Sequence, residues 1–236
     1  MFGILIFEKE FNNLKVPLEQ VSKGREGGVL VKDVENIPLV RTTTKYKKPA
    51  MKMNKDHIEL MKMAKITANN ALIELYTDEY KTMGYHSDQD LDLKPGSEIA
   101  IYSKYSDKVA NRKLVIKNKK TEKVREVLLE HNSVLKFNYT TNSEYLHKIV
   151  LVKPNKNTWL GITFRESKTF IKFVNEKPFF QNGKELRLAN KEEHKEFYEL
   201  RSKENKSNKD VYMLKKIYYT ISPSDLLVPN NLLHSN

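Results

Sequence analysis

The stretch Met83-Gly84-Tyr85-His86-Ser87-Asp88-Gln89-Asp90 carries an imidazole and two carboxylates at alternate positions. The two-residue period of a strand would put His86, Asp88 and Asp90 on one face, where a nitrogen and a carboxylate converge on a point that a divalent metal could occupy. That is half of a 2-His-1-carboxylate face. His147, in Ser143-Glu144-Tyr145-Leu146-His147-Lys148-Ile149, supplies the other half if its strand pairs beside the first. Such a face holds Fe(II) by one side and leaves its other positions open. A single strand histidine is ordinarily a hydrogen-bonded core residue; it is the joint pattern of His86, Asp88 and His147 that argues for ligands.

Composition narrows the alternatives. There is no cysteine, which removes disulfides, zinc-thiolate sites and thiol catalysis together. Any metal must therefore rest on His, Asp or Glu. Lys and Arg number 42 against 30 Asp and Glu, for a net charge of +12, which suits a polyanionic partner such as DNA or RNA. A lysine- and asparagine-rich chain also follows from an AT-rich genome, so charge supports nucleic acid without identifying it. The apolar opening Met1 to Phe7 is too short for a signal-peptide core and is followed at once by Glu8 and Glu10. No run approaches the roughly 20 apolar residues of a membrane span. A soluble monomer of the cytoplasm or nucleus, without membrane contact, is expected.

The elements that must position the metal face are mostly strands. Ala71 to Tyr76, Ile99 to Tyr102, Lys113 to Lys117, Val124 to Leu129, Val134 to Phe137, His147 to Val152 and Trp159 to Arg165 are short apolar runs with turn residues between them. Many short strands without a long intervening helix predict a mainly β (α+β) fold, a double-stranded β-helix or jelly roll with flanking helices. Asn54 can cap a helix from Lys55 with an apolar stripe of Ile58, Met61, Ala64, Leu72 and Ile73; His57 in its first turn reads as structural. Residues 189–204 read as a charged, solvated helix with His194 exposed, residues 202–210 as a polar stretch, and Ile217 to Ile221 as an edge strand before a disordered end. The expected organisation is an extension and substrate lid over 1–50, a core over 51–180, and a C-terminal helical appendage over 181–236.

Three separated blocks, Gly84-Tyr85-His86-Ser87-Asp88-Gln89-Asp90, Val127-to-Val134 leading to Tyr145-Leu146-His147, and Gly161-Ile162-Thr163-Phe164-Arg165, resemble the AlkB-like dioxygenases in order and spacing. The resemblance spans roughly residues 70–166. It implies Fe(II), 2-oxoglutarate and O2 as cofactors and oxidative demethylation of alkylated bases in DNA or RNA, as in DNA repair. A protein substrate and a catalytically silent nucleic-acid-binding module are the alternatives. His86, Asp88 and His147 would be the iron ligands. The family usually carries two arginines six apart on the last strand; Arg165 matches the second, and Trp159 stands where the first is expected. The distal carboxylate of 2-oxoglutarate would then fall to Arg165 or to a lysine such as Lys136, with Thr163 and Tyr76 as hydrogen-bonding partners. Asp90 matches a family position that accepts from a base amino group. The segment with Arg41, Thr43, Tyr46 and Lys47 resembles the substrate-side lid and supplies the expected nucleic-acid contacts.

Overall fold

Asn70–Tyr76 and Trp159–Arg165 bury side chains on both faces, a pattern that needs a covering layer on each side. The computed structural model, which describes residues 2–206, 211–212 and 216–230, supplies both layers. The N-terminal part runs β1 (Gly3–Ile6), β2 (Glu19–Ser22), β3 (Arg25–Val31), β4 (Ile37–Pro38), β5 (Met51–Lys52) and α1 (Lys55–Met63). The middle runs β6 (Asn70–Tyr76), β7 (Glu98–Tyr105), β8 (Arg112–Asn118), β9 (Val124–Leu128), β10 (Ser133–Asn138), α2 (Tyr139–Glu144), β11 (Tyr145–Leu151) and β12 (Trp159–Arg165). The rest is β13 (Phe170–Val174), β14 (Lys177–Phe180), β15 (Arg187–Leu188), α3 (Lys191–Lys206), β16 (Tyr219–Thr220) and a 3-10 turn at Pro223–Leu226.

The large sheet has the order β1-β10-β7-β12-β6-β3-β2, with β5 beside β3. The smaller sheet, β11-β8-β9, lies against its inner face, and the pair makes the expected jelly roll. Tyr76, Ile101 and Trp159 from the large sheet meet Leu114, Ile116 and Ile149 from the small one. On the outer face, Ala71, Ile73, Tyr102, Ile162 and Phe164 are covered by Leu60 and Met61 of α1 and by Phe11 and Leu14.

Helix α1 starts where a reciprocal cap satisfies two otherwise orphaned backbone donors. Asn54 accepts from the His57 backbone N–H and His57 Nδ1 accepts from the Asn54 N–H, both at 3.1 Å. His57 Nε2 lies 3.0 Å from Leu14 O, so this buried ring is fully used and burial draws its pKa down to about 4. The helix ends at Met63, because Lys65 takes a left-handed φ of 51°. Leu72 and Ile73, which the sequence offers to the helix stripe, belong instead to β6.

Two other expectations need correction. Residues 1–50 are not laid over the core as an extension: β3 pairs with β6 in unbroken register from Arg25–Tyr76 to Val31–Asn70. The C-terminal region is not a solvated appendage either. Phe197 and Leu200 of α3 are buried with Leu91, Tyr212, Ile217, Tyr219 and Ile221. The tail strand reduces to Tyr219–Thr220, parallel to β15. Residues 207–210 and the end beyond Asn230 lie outside the described residues. Among the described residues, no helix is long and apolar enough to cross a membrane.

Candidate metal centre and its cavity

The chain from Lys81 to His86 runs antiparallel to β11 without forming a regular strand. It bridges at Thr82–Val150 and at His86–His147. His86 N–H donates to His147 O at 3.0 Å, and the His147 N–H donates back to His86 O at 2.6 Å. Residues that exchange both backbone bonds project side chains to the same side, and the two imidazole centroids stand 4.6 Å apart. Past His86 the strand period stops. Asp88 is turned inward by α2, whose first turn is capped by the Asn138 side chain accepting from Thr141 N–H at 2.8 Å. Asn142 on this helix accepts from the Asp88 N–H and donates to the Asp88 carbonyl, both at 2.7 Å.

The outcome is that one ligand atom from each of His86, Asp88 and His147 lies within 4.8 Å of the others. His86 Nδ1 is 2.9 Å from Gly84 O, a contact that requires the proton on Nδ1 and leaves Nε2 as the lone-pair donor. Arg165 Nε donates to Asp88 Oδ2 at 2.8 Å, leaving Oδ1 for an ion, and His147 Nε2 is 3.8 Å from that Oδ1. Burial works to raise the Asp88 carboxyl, and Arg165 and then His147 overcome it, so the group is held well below the usual carboxylate range. Burial, reinforced by the neighbouring His86, draws His147 down to about 3. Burial lowers His86 also. The set is therefore two neutral imidazoles and one carboxylate at neutral pH, the donor chemistry that suits Fe(II).

The centre opens into a cavity of about 660 Å³ between the sheets. Of the residues expected there, Thr163, Arg165, Thr43 and Arg41 line it. Thr43 is exposed to it, but Arg41 is 3% exposed and its donors are spent on Asp92, Ile217 O and Tyr219 O. It is a staple between segments rather than a free phosphate contact. Arg165 is held by Asp88 and does not stand free for a distal carboxylate. Lys136 alternates with the inward Leu135 and Phe137, so it points to the outer face, where it meets Glu98 at 3.4 Å.

Tyr76 is fully buried behind Glu74, to which its hydroxyl donates at 2.5 Å. Tyr46 is buried against Gly27. Lys47 is exposed outside the cavity, tied by its backbone N–H to Glu19 at 2.8 Å. Asp90 diverges from the metal face because no strand carries it there. Its carboxylate accepts from Tyr139 Oη at 3.1 Å and its N–H donates to Glu204 at 2.7 Å.

Several lining residues have no forecast in the sequence reading. Arg25 and Glu74 form a pair at the far end, with side chains 18% and 12% exposed. Helix α3 supplies Tyr198, Arg201 and Asn205, and the last two bind the metal loop directly. Arg201 donates to Ser87 O, and the Asn205 side-chain oxygen accepts from Ser87 N–H at 3.1 Å. One signal was visible: Glu74 is the only charged residue in a strand that is otherwise apolar but for Asn70, at a position that the strand period directs inward.

A profile of the 2OG-Fe(II) oxygenase superfamily matches residues 17–165. The chain belongs to that superfamily. As a 2OG-Fe(II) oxygenase it is an oxidoreductase of the dioxygenase type, in a family that uses Fe(II), 2-oxoglutarate and O2. No curated protein matches the chain. Among solved structures, that of OsALKBH1 is similar at 20% identity and a TM-score of 0.34, over 43% of this chain. The similarity covers 51% of that chain, so the oxygenase spans about half of it.

Bound iron with its 2-oxo acid supplies the oxidising power to insert oxygen into a substrate C–H bond. What the oxygenase's own residues provide is placement. The backbone pair of His86 and His147 sets the imidazoles side by side, Asn142 aims Asp88, and Arg165 fixes which carboxylate oxygen is available. Leu72, Ile101 and Ile149 give the cavity apolar surface among its charged and polar lining.

Proposed function

We infer that this oxygenase oxidatively demethylates alkylated bases in DNA or RNA, with His86, Asp88 and His147 as its iron ligands and Arg165 and Thr163 against the 2-oxo acid. The observation that carries the nucleic-acid reading is at the mouth of the cavity. Tyr85, adjacent to His86, has Lys148 Nζ 4.4 Å and Lys117 Nζ 5.5 Å from its ring centroid. A tyrosine ring with two ammonium groups over it gathers charge for phosphates beside an aromatic surface that a base can reach once a lysine turns to a phosphate. Tyr198, 44% exposed on α3, and Thr43 also line this cavity. The net charge of +12 supports the same partner class. Base access then requires a single strand or a flipped nucleotide.

The test is succinate formation by Fe(II)-loaded protein at saturating 2-oxoglutarate, with N-methylated and unmethylated oligonucleotides. Turnover should rise with the methylated strand alone, and Asp88→Ala should bring it to background. Equal stimulation by both strands would overturn the base-demethylation reading, and full turnover by Asp88→Ala would overturn the assignment of the metal centre.

A further inference from the structure

Among the described residues, four arginines line the cavity, and each is matched to a carboxylate: Arg165 to Asp88, Arg41 to Asp92, Arg201 to Glu204 and Arg25 to Glu74. The first three hold the metal loop and the segments around it. The fourth pair differs because both partners line the cavity from strands that carry no proposed metal ligand. Arg25 Nε donates to Glu74 Oε1 at 2.8 Å, and Nη2 donates to the same oxygen and to Thr44 Oγ1 at 3.2 Å. Glu74 Oε2 accepts from Tyr76 Oη at 2.5 Å, and Tyr46 Oη lies 3.4 Å from Oε1. One guanidinium and two phenols thus form a receptor for a carboxylate, and the protein's own carboxylate fills it.

Sheet register locates this receptor relative to the metal centre. Along the paired strands β12 and β6, Arg165 faces Asn70, Thr163 faces Leu72 and Gly161 faces Glu74. Successive same-face rungs are about 6.7 Å apart, so Glu74 stands two rungs, about 13 Å, along the strands from Arg165, and a five-carbon 2-oxo acid held beside Arg165 covers the Leu72 and Thr163 rung between them. Trp159 closes the space behind: a Cβ at Gly161 would overlap its six-membered ring, so the indole lies flat where the family's first arginine is expected. A distal carboxylate reaching this end finds Arg25 already paired with Glu74 and must compete with that carboxylate for the guanidinium. A tail ending in an amide would instead donate to Glu74 and accept from Arg25.

We propose that Glu74 is a specificity-determining residue of the cosubstrate subsite: by occupying Arg25 it disfavours a 2-oxo acid with a distal carboxylate, and the native site accepts an uncharged-tailed 2-oxo acid at least as well as 2-oxoglutarate. This rests on the oxygenase reading above, with a 2-oxo acid bound at the His86, Asp88 and His147 centre.

The experiment is calorimetric titration of anaerobic, Fe(II)-loaded wild type, Glu74→Gln and Glu74→Gln/Arg25→Ala with 2-oxoglutarate and with 2-oxoglutaramate, its distal amide. Wild type should bind the amide as tightly as 2-oxoglutarate or more so. Glu74→Gln should tighten 2-oxoglutarate by about tenfold or more, which corresponds to one elementary like-charge contact removed, while the amide changes little. The double variant should lose that gain. Wild type binding 2-oxoglutarate more tightly than the amide, or Glu74→Gln leaving its affinity unchanged or weaker, would overturn the proposal. If Glu74→Gln does not fold, the wild-type preference decides alone. Failure of both acids to bind wild type overturns the oxygenase reading itself, whereas binding of both in the opposite order overturns only the role of Glu74.

Discussion

At the scale of single residues, the inner wall of this oxygenase depends on an exchange of volume between Trp159 and Gly161. The indole occupies the space that a side chain at residue 161 would need, and Trp159 is itself 1% exposed between Tyr76 and Tyr105. Close-packed interiors absorb an added methyl only by displacing neighbours. Gly161→Ala should therefore cost about 1–3 kcal/mol in denaturant unfolding, and adding Trp159→Phe should recover part of the loss. An unchanged midpoint in Gly161→Ala would mean that the indole moves freely, and the back of the cavity would then be soft rather than closed.

At the scale of elements, α3 has a role that its charged sequence conceals. Its buried Glu204 is the junction between the helix and the metal loop. It pairs with Arg201, accepts from the Asp90 N–H at 2.7 Å and lies 3.4 Å from Tyr212 Oη, while Lys119 Nζ donates to its backbone carbonyl at 2.9 Å. Burial pushes the Glu204 carboxyl up to about 7 from an ordinary 4.5, against the pull of Arg201. A carboxyl raised in the folded state favours folding fully below its unfolded value, and that contribution is lost as pH rises through the folded value. Between pH 4.5 and 7 this group should thus lower the melting temperature as the carboxylate forms. Glu204→Gln should show a flatter profile than wild type across that window. Parallel profiles would show that the junction does not titrate there.

At the scale of the whole molecule, an excess of 12 positive charges surrounds a cavity whose own charges are largely cancelled in pairs. Charge at the rim governs capture, and the neutralised interior governs which groups enter. Binding to a single-stranded oligonucleotide should weaken steeply with salt, because each phosphate neutralised releases counterions. Lys117→Ala and Lys148→Ala should each reduce the slope of log K against log salt by about 0.7. A slope unaffected by either change would move the nucleic-acid path away from Tyr85.

The sequence alone determined the residues whose partners are set by local periodicity and motif spacing. The strands and the cap at Asn54 depend on neighbours in the chain, and so does the nomination of His86, Asp88 and His147, which then converge within 4.8 Å. Only the tertiary structure decided what lies across the cavity. Asp90 leaves the metal face because the strand period ends at His86, a fact set by the backbone pairing with His147. Arg25 and Glu74 are 49 residues apart and meet because β3 and β6 pair in one register rather than another. Arg41, read as a free cation in a basic segment, is spent on Asp92, and α3, read as solvated, walls the site. A charge or an amphipathic face states what a residue needs, but long-range register determines which partner meets that need.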